Sequence, residues 1–401
     1  MSQVANLILP LLFSQDFRKS AITMNVAVVS LLVVFAVSFV VSSFIWATKS
    51  FQMGALSRRA DTRAVQASHV APTPRLGGVA FVIALAAAVI SWGSSEGERD
   101  TYLLFISTLL PVFAAGLLED LGMNVRPRNR LLAAAASGML VVVFFGFWLP
   151  RVDLPVIDIF FTFAPFAILF SLFAAAGVSH AFNLIDGLNG LSTATAMMVA
   201  GALAYVAAKH GVPNVFEACL ICMAALGGFL LFNYPFGKVF LGDGGAYSVG
   251  HFLGWSAIAL VYARPEISAF AVLLIFFWPV ADTCFAIYRR RRAGRPSDQP
   301  DRLHYHQLVM RALEILLLGR GRRELANPLA TAVMLPMIAS PMIAGVILVD
   351  QPRQAFIAFI GFVVLFVATY LIGLHLARRI PFRHRKLHPE AADRATHIAA
   401  G

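Results

Sequence analysis

Charge is scarce in this 401-residue chain. Asp, Glu, Lys and Arg make up only 13% of it, against 59% hydrophobic residues. That excludes an ordinary soluble domain, so the useful measure of length is the number of membrane spans. Cysteine is scarcer still, at three. Cys219 and Cys222 form a C-x-x-C, but inside an apolar run and with no second pair. A four-cysteine zinc site is excluded, nothing suggests structural disulfides, and small packing residues are the simpler reading. There is no Gly-Lys-Ser/Thr, hence no Walker loop. Residues 5–13 are apolar but short, lack a basic start and run into Asp16, Arg18 and Lys19. A cleavable signal is therefore not expected.

What is abundant is apolar sequence. Eleven segments approach the ~20 residues a helical span needs: 25–47, 77–93, 101–118, 131–149, 156–177, 190–208, 216–232, 244–262, 267–288, 329–349 and 355–377. Lipid demands an internally satisfied backbone, so the expected fold is all-α and polytopic, with about eleven transmembrane helices. The basic residues set the orientation. With the N-terminus outside, 25 of the 32 Lys and Arg fall on the inner side. This predicts a periplasmic N-terminus and a cytoplasmic C-terminus. It also accounts for the net charge of +11 without a nucleic-acid partner. The expected organisation is a periplasmic segment (1–24), a transmembrane domain (25–377) and a basic cytoplasmic tail (378–401). The inner loops are 49–76, 119–130, 178–189, 233–243 and 289–328.

Those loops or their edges carry the polar motifs. Phe182 to Leu191 reads F-N-L-I-D-G-L-N-G-L, placing Asn183 and Asp186 on one face if the helix continues there. Polar groups at a span's edge are costly unless they act or find partners. Glu119 and Asp120 end a span as adjacent carboxylates, which repel unless a cation or a proton intervenes. The simpler alternative is a solvated helix end near Arg126, Arg128 and Arg130. Asp243 sits among glycines in F-L-G-D-G-G, where it can meet a phosphate-bound metal or serve only as an N-cap. The segment Pro300 to Gln307 brings Arg302, His304 and His306, with a surface histidine pair as the plainer reading. His69 to Gly78 holds two prolines that forbid helix, then Arg75 and a Gly-Gly that opens the second span. Acidic, amide, imidazole and basic groups on one membrane face suit magnesium-assisted chemistry on phosphates. A transporter would instead place polar groups deep in its spans. Asp282, after Pro279 in the ninth span, is the exception; it reads as lying near the inner end, where it can help position the site.

The order P-T-P-R-x-G-G, acidic pair, N-x-x-D-G-x-x-G-L, F-x-G-D-x-G and D-R-x-H-x-H resembles the polyprenyl-phosphate N-acetylhexosamine-1-phosphate transferase superfamily, glycosyltransferase family 4. The resemblance runs from about His69 to Leu313. The D-R-x-H-x-H loop and the eleven spans are similar to the GlcNAc-1-phosphate transferase branch. The triple histidine of the phospho-MurNAc-pentapeptide transferase branch is absent.

The resemblance implies a multi-pass enzyme of the bacterial inner membrane with its site facing the cytoplasm. It would transfer N-acetylhexosamine 1-phosphate, GlcNAc-1-phosphate by default, from a UDP-sugar to undecaprenyl phosphate, releasing UMP and starting a cell-surface polysaccharide. Asp243 would bind Mg²⁺, or Mn²⁺ in its place, with Asn183 beside it. Glu119 and Asp120 would hold or activate the lipid phosphate, and Asp186 would be a further essential carboxylate. Gly187, Leu188 and Asn189, with Phe240 stacking and Asn233 nearby, would form the uridine pocket. His304, His306 and Arg302 would contact the pyrophosphate or sugar, with Arg75 also on the substrate. The lipid bilayer is a partner, and a homodimer is allowed. Three positions depart from the family pattern: Glu119 replaces the first Asp of the pair, Asn189 the second Asp of D-G-x-D-G, and Gln307 the third histidine.

Overall fold

The computed structural model describes residues 15–51, 73–91, 96–294, 303–319 and 321–379. The expectations for Arg302, His69, residues 1–14 and 380–401, and most of the 49–76 loop lie outside them. In chain order the helices are α1 (Gln15–Ala47), α2 (Gly77–Ser91), α3 (Glu96–Ser107), α4 (Leu110–Asp120), α5 (Pro127–Phe145), α6 (Pro155–Phe161), α7 (Ala164–Ile185) and α8 (Leu191–Lys209). Then follow α9 (Pro213–Asn233), α10 (Gly242–Ala263), α11 (Ala269–Ile275), α12 (Phe277–Arg292), α13 (Tyr305–Leu313), a π-helical turn (Glu314–Leu318), α14 (Arg323–Ile347) and α15 (Pro352–Arg379). Among the described residues there is no strand. The described residues up to Phe362 form one compact unit; a second begins at Val363, partway along α15.

Each of the eleven expected segments falls on a helix or a broken pair of helices. Seven helices are long and apolar enough to cross a membrane, and two bent pairs bring the number to nine. The pair α3–α4 bends by 43° and the pair α11–α12 by 84°. Two expected spans differ for physical reasons. The apolar helix from Gly77 to Ile90 is short. Helix α10 carries Asp243, Ser248, His251 and Ser256, yet all but three of its 22 residues are buried. It needs little apolar surface because protein surrounds it, chiefly α7 and α4.

The span expected at 156–177 is displaced. A short helix ends at Phe161, and α7 runs on to Ile185. The inner loop expected at 178–189 shrinks to the turn after Ile185. Polar residues are tolerated in the last turns of α7 because they bond within the helix or meet α10. The Ser179 hydroxyl donates to the Ala175 carbonyl, and the His180 ring sits 4.9 Å from that of Tyr247. Asn183 is thus helical, one turn from the end.

Candidate active site

Two close approaches build the site. Gly116 of α4 crosses Gly244 of α10 so closely that a Cβ on Gly116 would sit 2.5 Å from the Gly244 Cα. This backbone contact brings the end of α4 to the start of α10. At that start Gly242 has φ +76°, and a side chain there would collide with the Arg75 carbonyl and with Asp120. Only glycine fits both the backbone and the space. Arg75 is brought in by its neighbours: Phe240 N–H donates to the Pro74 carbonyl, Gly77 N–H to that of Phe240, and Gly78 N–H to that of Leu241.

The charges then interlock. Asp243 is only 7% exposed. Arg75 Nη2 lies 3.1 Å from its Oδ1 and Arg130 Nη1 lies 2.8 Å from its Oδ2. Asp243 is in the first turn of α10 and does not cap it. Asp120, from α4, takes that part. Its two oxygens accept from the backbone amides of Asp243 and Gly244, each at 2.9 Å. A carboxylate there answers both unpaired amides and the positive end of the helix. Arg75 Nε is 3.6 Å from the same carboxylate. Glu119 points elsewhere: its Oε2 accepts from Val125 N–H at 2.6 Å, tying the loop that leads to α5.

Asp186 joins this cluster from the end of α7. Its carboxylate lies near the Gly242 backbone and feels both Arg75 and Asp243. Burial pushes its pKa up to about 7, and Asp243 adds to the rise against the pull of Arg75. His306 arrives from the third direction. Its Nε2 stands 2.6 Å from where a Cβ on Gly187 would lie, so only glycine admits the ring. Burial holds the imidazole neutral, its pKa lowered to about 4. His304 stacks on His306 with ring centres 5.7 Å apart.

Several other residues expected in the site make bonds to the scaffold around it, while Asn189 Oδ1 is left without a hydrogen-bond partner among the described residues. The Asn233 side chain accepts from Gly190 N–H and the Thr193 hydroxyl and donates to the Val239 carbonyl. Asn189 donates through Nδ2 to the Pro235 carbonyl, and its backbone is held by Asn327 and Thr331 of α14. Leu188 is buried. Phe240 contributes the backbone bonds already described. The structure thus brings together Arg75, Asp120, Asp186, Gly187, Asp243 and His306. Arg130 is the member missing from the expected set; sequence offered it only as one of three arginines near the acidic pair.

Fold and site define a multi-pass helical membrane protein with interlocked carboxylates and guanidiniums where several helix ends meet. Residues 102–261 match the family model described as Glycosyl transferase family 4. The chain is 27% identical over 240 residues to a probable undecaprenyl-phosphate N-acetylglucosaminyl 1-phosphate transferase of Bacillus subtilis, covering 59% of this chain and 65% of that one. It is 27% identical over 340 residues to a decaprenyl-phosphate N-acetylglucosaminephosphotransferase of Mycolicibacterium smegmatis, covering 76% and 79%. It is also 27% identical over 249 residues to a phospho-N-acetylmuramoyl-pentapeptide-transferase of Lactobacillus delbrueckii, covering 58% and 75%. Over residues 102–261 the chain is thus similar to glycosyl transferase family 4, and the relatives it resembles are phosphotransferases by name.

Proposed function

We propose that this protein transfers an N-acetylhexosamine 1-phosphate, GlcNAc-1-phosphate by default, from a UDP-sugar to undecaprenyl phosphate at the cytoplasmic side of the inner membrane. The observation that carries this reading is the convergence of Asp120, Asp186, Asp243, Arg75, Arg130 and His306 from five separate stretches of chain. The names of the relatives support the same chemistry, including prenyl-phosphate acceptors.

Mg²⁺ is the cofactor of this reading. Among the described residues no three His, Cys, Asp or Glu side chains are grouped to enclose a metal unaided. Mg²⁺ keeps waters and takes one or two carboxylates plus substrate phosphate. Burial, and then the nearby Asp243, raise the pKa of Asp186, and a cation bound there would favour its ionised form. Asp243, with Asn183, would hold the ion, whose chemistry is to offset diphosphate charge and polarise the phosphoryl group.

The rest falls to the protein. Arg75 and Arg130, which neutralise Asp243, are placed to grip phosphate oxygens when the donor binds. Asp120 acts through the helix start it caps and so fixes Asp243. Asp186 is the carboxylate left to face the lipid phosphate. An oxygen of that phosphate attacks the β-phosphorus; the bond from β-phosphorus to the bridging oxygen breaks, and UMP leaves with the bridging oxygen. His306 and His304 line the side of the site beside Gly187, where they can contact the diphosphate or sugar.

The test is direct. Purified protein is incubated with undecaprenyl phosphate and a panel of UDP-sugars, with and without Mg²⁺, and the lipid product is weighed by mass spectrometry. A lipid-linked sugar diphosphate formed only with Mg²⁺ is expected. Uptake of intact nucleotide-sugar into proteoliposomes, with no UMP formed, would favour transport instead.

A further inference from the structure

The transfer reading makes no use of one buried acid. Asp282 lies in α12 with 2% exposure. Its Oδ2 is 3.0 Å from His304 Nδ1, and its Oδ1 accepts from Tyr305 N–H at 3.1 Å. The same Oδ2 is 3.9 Å from His306 Nδ1. Two more ties come from the same helix. The Trp278 ring meets that of Tyr305 edge-on at 5.0 Å, and Arg289 Nη1 donates to the Leu303 carbonyl at 3.0 Å. Residues 278, 282 and 289 share one stripe of a helix. That stripe grips residues 303–305.

The chemistry of the pair fixes a proton. An ionised carboxylate only accepts, so the His304 nitrogen facing it must carry hydrogen. In the neutral ring Nε2 of His304 is then the lone-pair nitrogen. His306 stacks on this ring, and neither of its own nitrogens has a hydrogen-bond partner among the described residues. An unpartnered nitrogen on a 1% exposed side chain next to Gly187 points to something that binds there.

We propose that Asp282 is a positioning residue for the transfer: it holds His304 in the Nδ1-protonated tautomer and docks the His304–His306 segment onto α12, so that both imidazoles face the donor's diphosphate or sugar. This rests on the transfer reading above. An acid that only anchors a loop could be replaced by any acceptor; one that sets a tautomer cannot. Asp282→Asn presents a donor where the carboxylate accepted, which favours the opposite tautomer.

The test pairs kinetics with a substrate-free readout. Asp282→Asn should lower kcat for UMP release by roughly tenfold to a thousandfold, with KM for the UDP-sugar within about twofold. In a His304→Ala background the same change should cause no further loss, because Asp282 acts through that ring. Asp282→Glu, which keeps the charge but shifts it by one methylene, should recover part of kcat. It also replaces Asp282→Asn in the cycle should the amide variant not fold. Losses that multiply, or an unchanged kcat, overturn the proposal. In parallel, ¹⁵N-histidine NMR of the protein in lipid should show an Nδ1-protonated ring that vanishes in His304→Ala. That ring should move to the Nε2-protonated form in Asp282→Asn and stay Nδ1-protonated in Asp282→Glu. A wild-type protein that releases no UMP refutes the transfer reading, while the tautomer result still decides the role of Asp282.

Discussion

Asp120 holds the helix that carries Asp243. Both oxygens of the one accept backbone amides at the helix start of the other, 123 and 124 residues away in sequence. The two acids are therefore unequal partners: one faces two guanidiniums, and the other fixes where it stands. Asp120→Asn turns an amide donor against backbone N–H groups. Replacing a good cap costs about 1 kcal/mol, with a further ~0.5 kcal/mol for the lost charge at the helix terminus. We expect a fall in melting temperature of a few degrees and at least a tenfold loss of UMP release. An unchanged melting temperature would contradict the capping role.

Glu119 makes the contrasting case. Its oxygen accepts one loop amide, from Val125. A neutral carbonyl can do the same. Glu119→Gln should keep UMP release within about threefold of the wild type, whereas Glu119→Ala should lose about 1 kcal/mol of stability through the loosened loop. A Glu119→Gln enzyme as impaired as Asp120→Asn would show that the charge itself acts on substrate.

Arg130 is predicted to matter as much as the arginine that the sequence motif advertises. It is 19% exposed and pairs with an Asp243 side chain that is 10% exposed. Removing one partner of a buried pair costs about 3–5 kcal/mol; with Arg75 still in place we expect about 2 kcal/mol for Arg130→Ala. Arg130→Lys should recover part of that, since a lysine supplies the charge without the planar fork. Thermal denaturation of the three proteins in one detergent checks the order wild type, Lys, Ala.

Stability should fall on acidification through His306. Its folded pKa of about 4 lies below the unfolded value of 6.5. Between those values the unfolded chain binds the extra proton, so unfolding gains as pH drops from 6.5 toward 4. Above 6.5 the residue is neutral in both states and contributes no slope. His306→Gln removes this limb. The melting temperature of wild type minus that of His306→Gln should therefore shrink from pH 7 to pH 4.5; a constant difference would contradict it.

Much of the fold was legible because long apolar runs leave helix as the only answer, and the order of motifs announced which stretches should meet. What stayed hidden depends on tertiary partners. Helix α10 is polar enough to fail as a lipid-facing span because it is wrapped by protein. Pro279 lies three residues past the break at Phe276 and cannot donate to the Ile275 carbonyl, but a proline alone does not announce a bend of 84°. Arg130 looked like any basic residue of an inner loop until Asp243 appeared across 113 residues of chain. Asn189 and Asn233 read as ligand-binding amides, yet their hydrogen bonds run largely to backbone groups. Asp282 was visible as an oddity in an apolar run; its histidine partner was not.

The central claim is that these separated acids, arginines and histidines form one transfer site. It is tested most directly by counting UMP and lipid-linked sugar diphosphate released by purified protein given undecaprenyl phosphate, UDP-GlcNAc and Mg²⁺, with Asp243→Ala as the comparison. The account predicts equal amounts of the two products from the wild type and neither from a folded Asp243→Ala protein. An Asp243→Ala protein that still forms both at the wild-type rate would contradict it.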